Sequence, residues 1–143
     1  MDPREFQILA SELVSRNRPA DIRTAISRAY YAVFNVGVEI LKECGFAISE
    51  GPGGHGEVRN RLNNSGDPEV VKVGSKLKDL HSRRIHADYR LARKEEENQK
   101  VAQALVELAG KMIRILDECR FEPKRFQITR AIRDWEIKTG QEP

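Results

Sequence analysis

The sequence predicts an all-α fold, an up-and-down antiparallel bundle of four to five helices. Three observations carry that expectation. Apolar side chains recur every three or four residues through most of the chain, and Asp-Pro pairs of the kind that start helices stand before two of these runs. No stretch keeps the apolar–polar alternation of a half-buried strand. The 143 residues suit one domain around one core, and no internal repeat divides them.

The elements follow in order. Asp2, Pro3 and Glu5 form a start signal, with an N-cap, a proline at the first helical position and an acid completing a capping box. Phe6, Leu9, Ala10 and Leu13 make one apolar face, and the pattern fades by Asn17. Pro19 and Asp21 open a longer helix whose apolar positions are Ile22, Ala25, Ile26, Ala29, Val33, Gly37, Ile40 and Cys44, with Gly45 placed to end it. From Ala47 to Gly56 glycine and proline predict a loop, followed by a short helix around Glu57 to Leu62 and a break at Asn63–Gly66. Asp67 and Pro68 begin the next helix, with a stripe of Val70, Val73, Leu77, Leu80, Arg84, Ala87 and Leu91. Val101, Leu105, Leu108, Met112, Ile115 and Cys119 follow the same rule until Pro123 breaks it, and Phe126 to Ile137 forms a last amphipathic segment. The expected division is a bundle over residues 1–120 and a C-terminal helical extension or tail over 121–143.

Composition narrows the functional classes. Hydrophobic residues are 39% and charged residues 33% of the chain, and no apolar run approaches the roughly 20 residues of a bilayer span, so no membrane partner is expected. The start MDPREFQ has neither the basic residues nor the apolar stretch of a secretory signal, and Cys44 and Cys119 stand alone; the expectation is a cytoplasmic protein with reduced thiols. The net charge of +3 allows an anionic partner without requiring one. Its distribution says more. Between His81 and Lys94, Arg83, Arg84, Arg90, Arg93 and Lys94 face a single acid, Asp88, before Glu95, Glu96 and Glu97 close the stretch. A second basic stretch holds Arg120, Lys124, Arg125, Arg130 and Arg133 against Glu122. Either could be an ordinary solvated face.

Local motifs for cofactors are weak. Gly51 to Gly56 has the spacing G-x-G-x-x-G, but a dinucleotide fold needs a strand before it and here a helix precedes it, so a connector is expected. His81 and His86 are five apart, which does not set two ligands on one helical face, and neither cysteine has a sulfur neighbour; no metal and no cofactor is expected. The informative residue is Arg84, which occupies an apolar position of its stripe. An unpaired guanidinium costs several kcal/mol or more to desolvate, and Asp88, four residues on, can pair with it. Tyr30, Tyr31 and Asn35 can add hydrogen bonds if their helix faces this one. Such a pair either fixes helix register or presents an arginine to an anion such as phosphate.

Two segments together resemble the HEPN domain, a helical family named for higher eukaryotes, prokaryotes and nucleotide binding. Ser27, Ala29, Tyr30, Tyr31, Ala32 and Phe34 look like its S-x-A-Y-Y-A-x-F helix, and Arg84, Ala87, Asp88 and Tyr89 like its later R-x-x-A-D-Y signature. The resemblance covers about residues 5 to 118. It implies an up-and-down bundle, a homodimer with the motif helices facing one another, and kinship with toxin–antitoxin and defence systems that often include a small nucleotidyltransferase. Its catalytic members resemble metal-independent ribonucleases that use an arginine and a histidine.

This chain departs from that pattern. The histidine of those ribonucleases lies four to six residues after the arginine. Counted from Arg83 those positions hold Ala87, Asp88 and Tyr89, and from Arg84 they hold Asp88, Tyr89 and Arg90. His86 lies two or three residues beyond, about 200° to 300° around the helix. Asn35 stands where relatives often carry another histidine.

Two functional expectations result. One is a dimeric module that binds RNA or a nucleotide in a basic cleft of Arg83, Arg84, Asp88, Arg90, Tyr30, Tyr31 and Asn35, acting with a partner protein. The other is a ribonuclease toxin in which Arg84 stabilises charge and His86 or Tyr89 moves the proton. An adaptor bundle without a ligand is a blander alternative to both. Whether the chain is an enzyme stays open at this point.

Overall fold

The computed structural model describes residues 1–140; residues 141–143, the end of the expected tail, lie outside the described residues. Six helices follow one another: α1 Arg4–Ser15, α2 Pro19–Glu43, α3 Gly53–Asn63, α4 Pro68–Tyr89, α5 Gln99–Glu118 and α6 Lys124–Thr139, with a 3-10 turn at Glu95–Glu97 between α4 and α5. No strand occurs among the described residues. None of the helices is long and apolar enough to cross a membrane.

Side chains cap the helices where the sequence places them. The Asp2 carboxylate accepts the Arg4 N–H at 2.9 Å, although Glu5 does not complete a capping box. Asp67 accepts from Glu69 and Val70 at 3.0 and 3.2 Å, and Asn98 from Val101 at 3.1 Å. After α2 the chain turns at Gly45 with φ +97°, a conformation open to glycine and strained for other residues.

Helix α2 is the axis of the bundle. It packs against α1, α4 and α5 and touches α3. Its Ile22, Ile26, Tyr30, Ile40 and Leu41 meet Leu62 of α3, Leu77 and Leu80 of α4, Met112 and Leu116 of α5, all within one core. Each such side chain contributes roughly 1.5–3 kcal/mol through burial.

Two differences from the sequence reading have physical causes. Helix α3 begins at Gly53 rather than near Glu57, so the end of the expected Gly-rich loop, Gly53 to Gly56, is its first turn. Glycine disfavours helix, but here Glu57 accepts from Ser49 N and Oγ at 2.7 and 2.6 Å and ties the preceding loop back onto the turn. A side chain at Gly54 would collide with the Ser49 carbonyl. Second, α4 stops at Tyr89, and Leu91, expected on the buried stripe, is 66% exposed. Arg23, 7% exposed, causes the stop: its guanidinium donates to the carbonyls of His86, Ala87, Arg90 and Leu91 at 3.2, 3.0, 3.4 and 3.3 Å, and also to Arg93.

The extension beyond residue 120, expected as a helical extension or tail, forms a helix docked on the bundle. Ile128 and Ile132 of α6 are buried in the common core. Arg61 of α3 pairs with the buried Glu136 at 3.0 Å, and Arg125 donates to the Glu43 carbonyl at 2.7 Å. Arg133 lies over the Phe46 ring at 4.8 Å.

Candidate functional site

Contacts between α2 and α4 pair Ser27 with Asp88 and Tyr31 with Arg84. Falling numbers on one helix meet rising numbers on the other, so the two run antiparallel. Ser27, Tyr30, Tyr31 and Phe34 recur at the three- and four-residue spacing of one α2 face. His81, Arg84 and Asp88 do the same on α4. The site is the seam between these faces, with α3 closing one end.

Arg84 sits in the middle, its side chain 15% exposed. Its Nε lies 3.0 Å from Asp88 Oδ2, near enough for charge pairing but not aligned as a hydrogen bond. Its Nη2 donates to the Tyr31 hydroxyl. Ser27 Oγ donates to the same Asp88 oxygen at 3.1 Å and so holds the carboxylate in place. The guanidinium carbon of Arg84 is 4.9 Å from the Tyr31 ring centre and 5.5 Å from that of Tyr89. A second cation, Arg28, also lies 4.9 Å from the Tyr31 ring.

Beyond Arg84 is a group of rings. His81 stacks on Tyr30 with centres 4.8 Å apart and planes at 12°, and on His55 of α3 at 4.7 Å and 10°. His55 in turn stacks on Phe34 at 4.4 Å. The Tyr30 hydroxyl and His55 Nδ1 share a hydrogen bond whose donor is set by the imidazole tautomer. Burial, then the charges of Arg84 and Arg59, hold the His55 imidazole below its ordinary pKa. Burial, His55, Arg84 and Arg59 do the same for His81. Burial also pushes the Tyr30 phenol up, so it keeps its proton. At neutral pH the seam therefore combines fixed guanidinium charge with two uncharged imidazoles able to accept protons.

The other expected site residues go elsewhere. Arg83 pairs with Glu95 at 2.9 Å and with Glu96 at 3.6 Å, and His86 Nδ1 lies 3.5 Å from Glu96. Glu96 is fully buried and also takes Arg93 Nε at 2.9 Å. Neighbouring helical positions point about 100° apart, so Arg83 and His86 face the acidic 3-10 turn while Arg84 faces α2. A groove of about 520 Å³ on that side, between α4 and α5, is lined by Lys76, Arg83, His86 and Arg93 with Asp79 and Glu95. Arg90 is exposed past the end of α4, and its carbonyl is taken by Arg23. Asn35 donates its amide to the Tyr31 carbonyl at 2.8 Å and lines a small pocket beside His55. The expected cleft is thus divided: Tyr30, Tyr31, Arg84, Asp88 and the exposed Tyr89 come together, and Arg83, His86 and Arg90 do not join them.

His55, His81, Arg28 and Arg59 enter the site without having been selected from the sequence, and Ser27 enters it as a motif residue not expected to line the cleft. His81 had a readable signal, since it precedes Arg84 by one turn on the same face. His55 had none, because it lies in glycines that read as a connector. Among the described residues no three histidines, cysteines or carboxylates come together as a metal site. Comparison of the chain with family models, with curated proteins and with solved structures finds no match.

Proposed function

We propose that this chain is a HEPN-type bundle that binds RNA or a nucleotide through phosphate at Arg84. In this reading it works as a homodimer with a partner protein, such as a small nucleotidyltransferase, in a toxin–antitoxin or defence setting. One observation carries the reading. Arg84 replaces an apolar residue on a buried stripe, is fixed by Asp88 and Tyr31, and shares its seam with Arg28 and Arg59. Three guanidiniums from three helices against one carboxylate favour an anion, and an oriented guanidinium suits two phosphate oxygens at once. Tyr89 and Leu91, 64% and 66% exposed beside this end of α4, are large side chains that a second copy would cover.

The test is RNA affinity by fluorescence anisotropy. Arg84→Ala should weaken binding at least about tenfold, and Arg84→Lys should recover part of it. Equal affinity in all three proteins would remove the proposal.

The histidine pair favours a second reading, metal-independent RNA cleavage. A neutral imidazole of His55 or His81 accepts the 2′-hydroxyl proton as the 2′-oxygen bonds to phosphorus. Arg84 holds the charge that grows on the non-bridging oxygens. The bond to the 5′-oxygen then breaks and that oxygen takes a proton from an imidazolium, leaving a 2′,3′-cyclic phosphate and a 5′-hydroxyl. Here the histidines take the role the sequence gave to His86 or Tyr89. Purified protein in EDTA should leave cyclic-phosphate ends, and both His81→Ala and Arg84→Ala should abolish them. Intact RNA across several substrates would refute cleavage and leave binding.

A further inference from the structure

Beside the histidine pair, between the C-terminal half of α2 and the loop before α3, lies a pocket of about 240 Å³. We propose that it is a base subsite selective for guanine, taking the base of a nucleotide whose phosphate lies at Arg84. The proposal rests on the phosphate reading above, but its two halves can be tested separately.

Size comes first. Pockets that enclose drug-sized ligands run to roughly 300–1,000 Å³, so this one holds a ring system and leaves a sugar and phosphate outside. The walls suit a flat ring. Phe34 and His55, stacked at 4.4 Å and both partly exposed, form an aromatic side, and Val38 and Ile48 an aliphatic one. His55 is also the link to the phosphate end: it lines the pocket and stacks on His81, one helical turn before Arg84.

The polar groups choose the base. Asn35 gives its amide N–H to the Tyr31 carbonyl, so its Oδ1 is left as an acceptor. The Ser49 hydroxyl and N–H are both spent on Glu57. The charged groups of the lining are the exposed Glu50 carboxylate and Lys42 ammonium, neither with an ion-pair partner among the described residues. Guanine presents neighbouring N1–H and N2–H donors on one edge, matched to a carboxylate, and O6 and N7 acceptors on the other, matched to a lysine. Adenine reverses the contacts at N1 and C6: its N1 lone pair would face the carboxylate and its amino group stands where guanine has O6, while N7 accepts in both bases. The pocket therefore both attracts guanine and repels adenine.

Isothermal titration with guanosine monophosphate, adenosine monophosphate, guanosine, adenosine and inorganic phosphate tests this. The guanine ligand of each pair should bind at least about tenfold more tightly than its adenine counterpart. Glu50→Gln should remove that preference, weakening the guanine ligands and strengthening the adenine ones, while leaving inorganic phosphate affinity unchanged. Since Glu50 is exposed in a loop, the thermal melt of this variant should match that of the parent. Arg84→Ala should weaken the monophosphate and not guanosine. Equal affinity for the two bases, or a preference that survives Glu50→Gln, overturns the subsite while leaving the phosphate reading in place. Guanosine that binds where phosphate does not would instead overturn the phosphate reading alone, and no binding by any ligand overturns both.

Discussion

Arg84→Ala has a cost in stability as well as in binding. It leaves Asp88, whose side chain is 27% exposed, with Ser27 as its remaining partner. Water can reach that carboxylate, so the expected loss is about 1 kcal/mol, read from urea denaturation. The histidines make a sharper case. Both imidazoles are held below their ordinary pKa, by burial first and by arginine charge second. The unfolded chain therefore takes up protons before the folded chain does. Their contribution to stability is complete above pH 6.5 and falls as pH drops below it toward the folded pKa values. An NMR pH titration of the ring protons should show both titrating below 6.5, in two steps shared by the stacked pair. A midpoint at or above 6.5 for either ring would show that burial and arginine charge together do not depress it. Arg84 with Asp88 was legible in the sequence because a charge on an apolar stripe needs a partner four residues away. His81 carries an equal signal three residues before Arg84, whereas the ribonuclease pattern points to a histidine after the arginine and metal ligation to a pair four apart. Nothing local pointed to His55, since its role comes from α3 packing on α2.

Helix beginnings were more legible than helix ends. The Asp2, Pro19 and Asp67 signals act within a turn, and α1, α2 and α4 start within two residues of them. The end of α4 is set from 60 residues away by Arg23, so the stripe written through Leu91 overshot. Arg23 also pairs with Glu97 at 2.7 Å and is nearly buried. Arg23→Ala should cost about 3 kcal/mol, because it leaves a carboxylate and several carbonyls without their donor. Hydrogen exchange should then quicken over residues 86–90 while the start of α4 stays protected. Uniform exchange along α4 would contradict this capping role. Helix α3 was foreshortened for the opposite reason: four residues, Gly53, Gly54, His55 and Gly56, have poor intrinsic helix preference, and the Ser49–Glu57 contacts override it.

For the whole molecule, the all-helical class and the single core followed from periodicity, which is local. The placement of charge did not. A linear reading joins Arg83, Arg84, Arg90 and Arg93 into one basic face, whereas the helix turns Arg83 toward Glu95 and Glu96, which also take Arg93. The electropositive seam is built instead from Arg28, Arg59 and Arg84, which lie on three different helices. The last helix, expected as an extension or tail, adds Ile128 and Ile132 to the common core and closes the end away from the seam. The central claim is that these three guanidiniums form a phosphate site. Its most direct test is RNA affinity measured against salt for the parent chain and Arg84→Ala. Three phosphate contacts on a single strand give a slope of log K on log salt of about −2 per protomer, and loss of Arg84 should flatten it by about 0.7. A slope near zero, or one that Arg84→Ala leaves unchanged, would contradict the account.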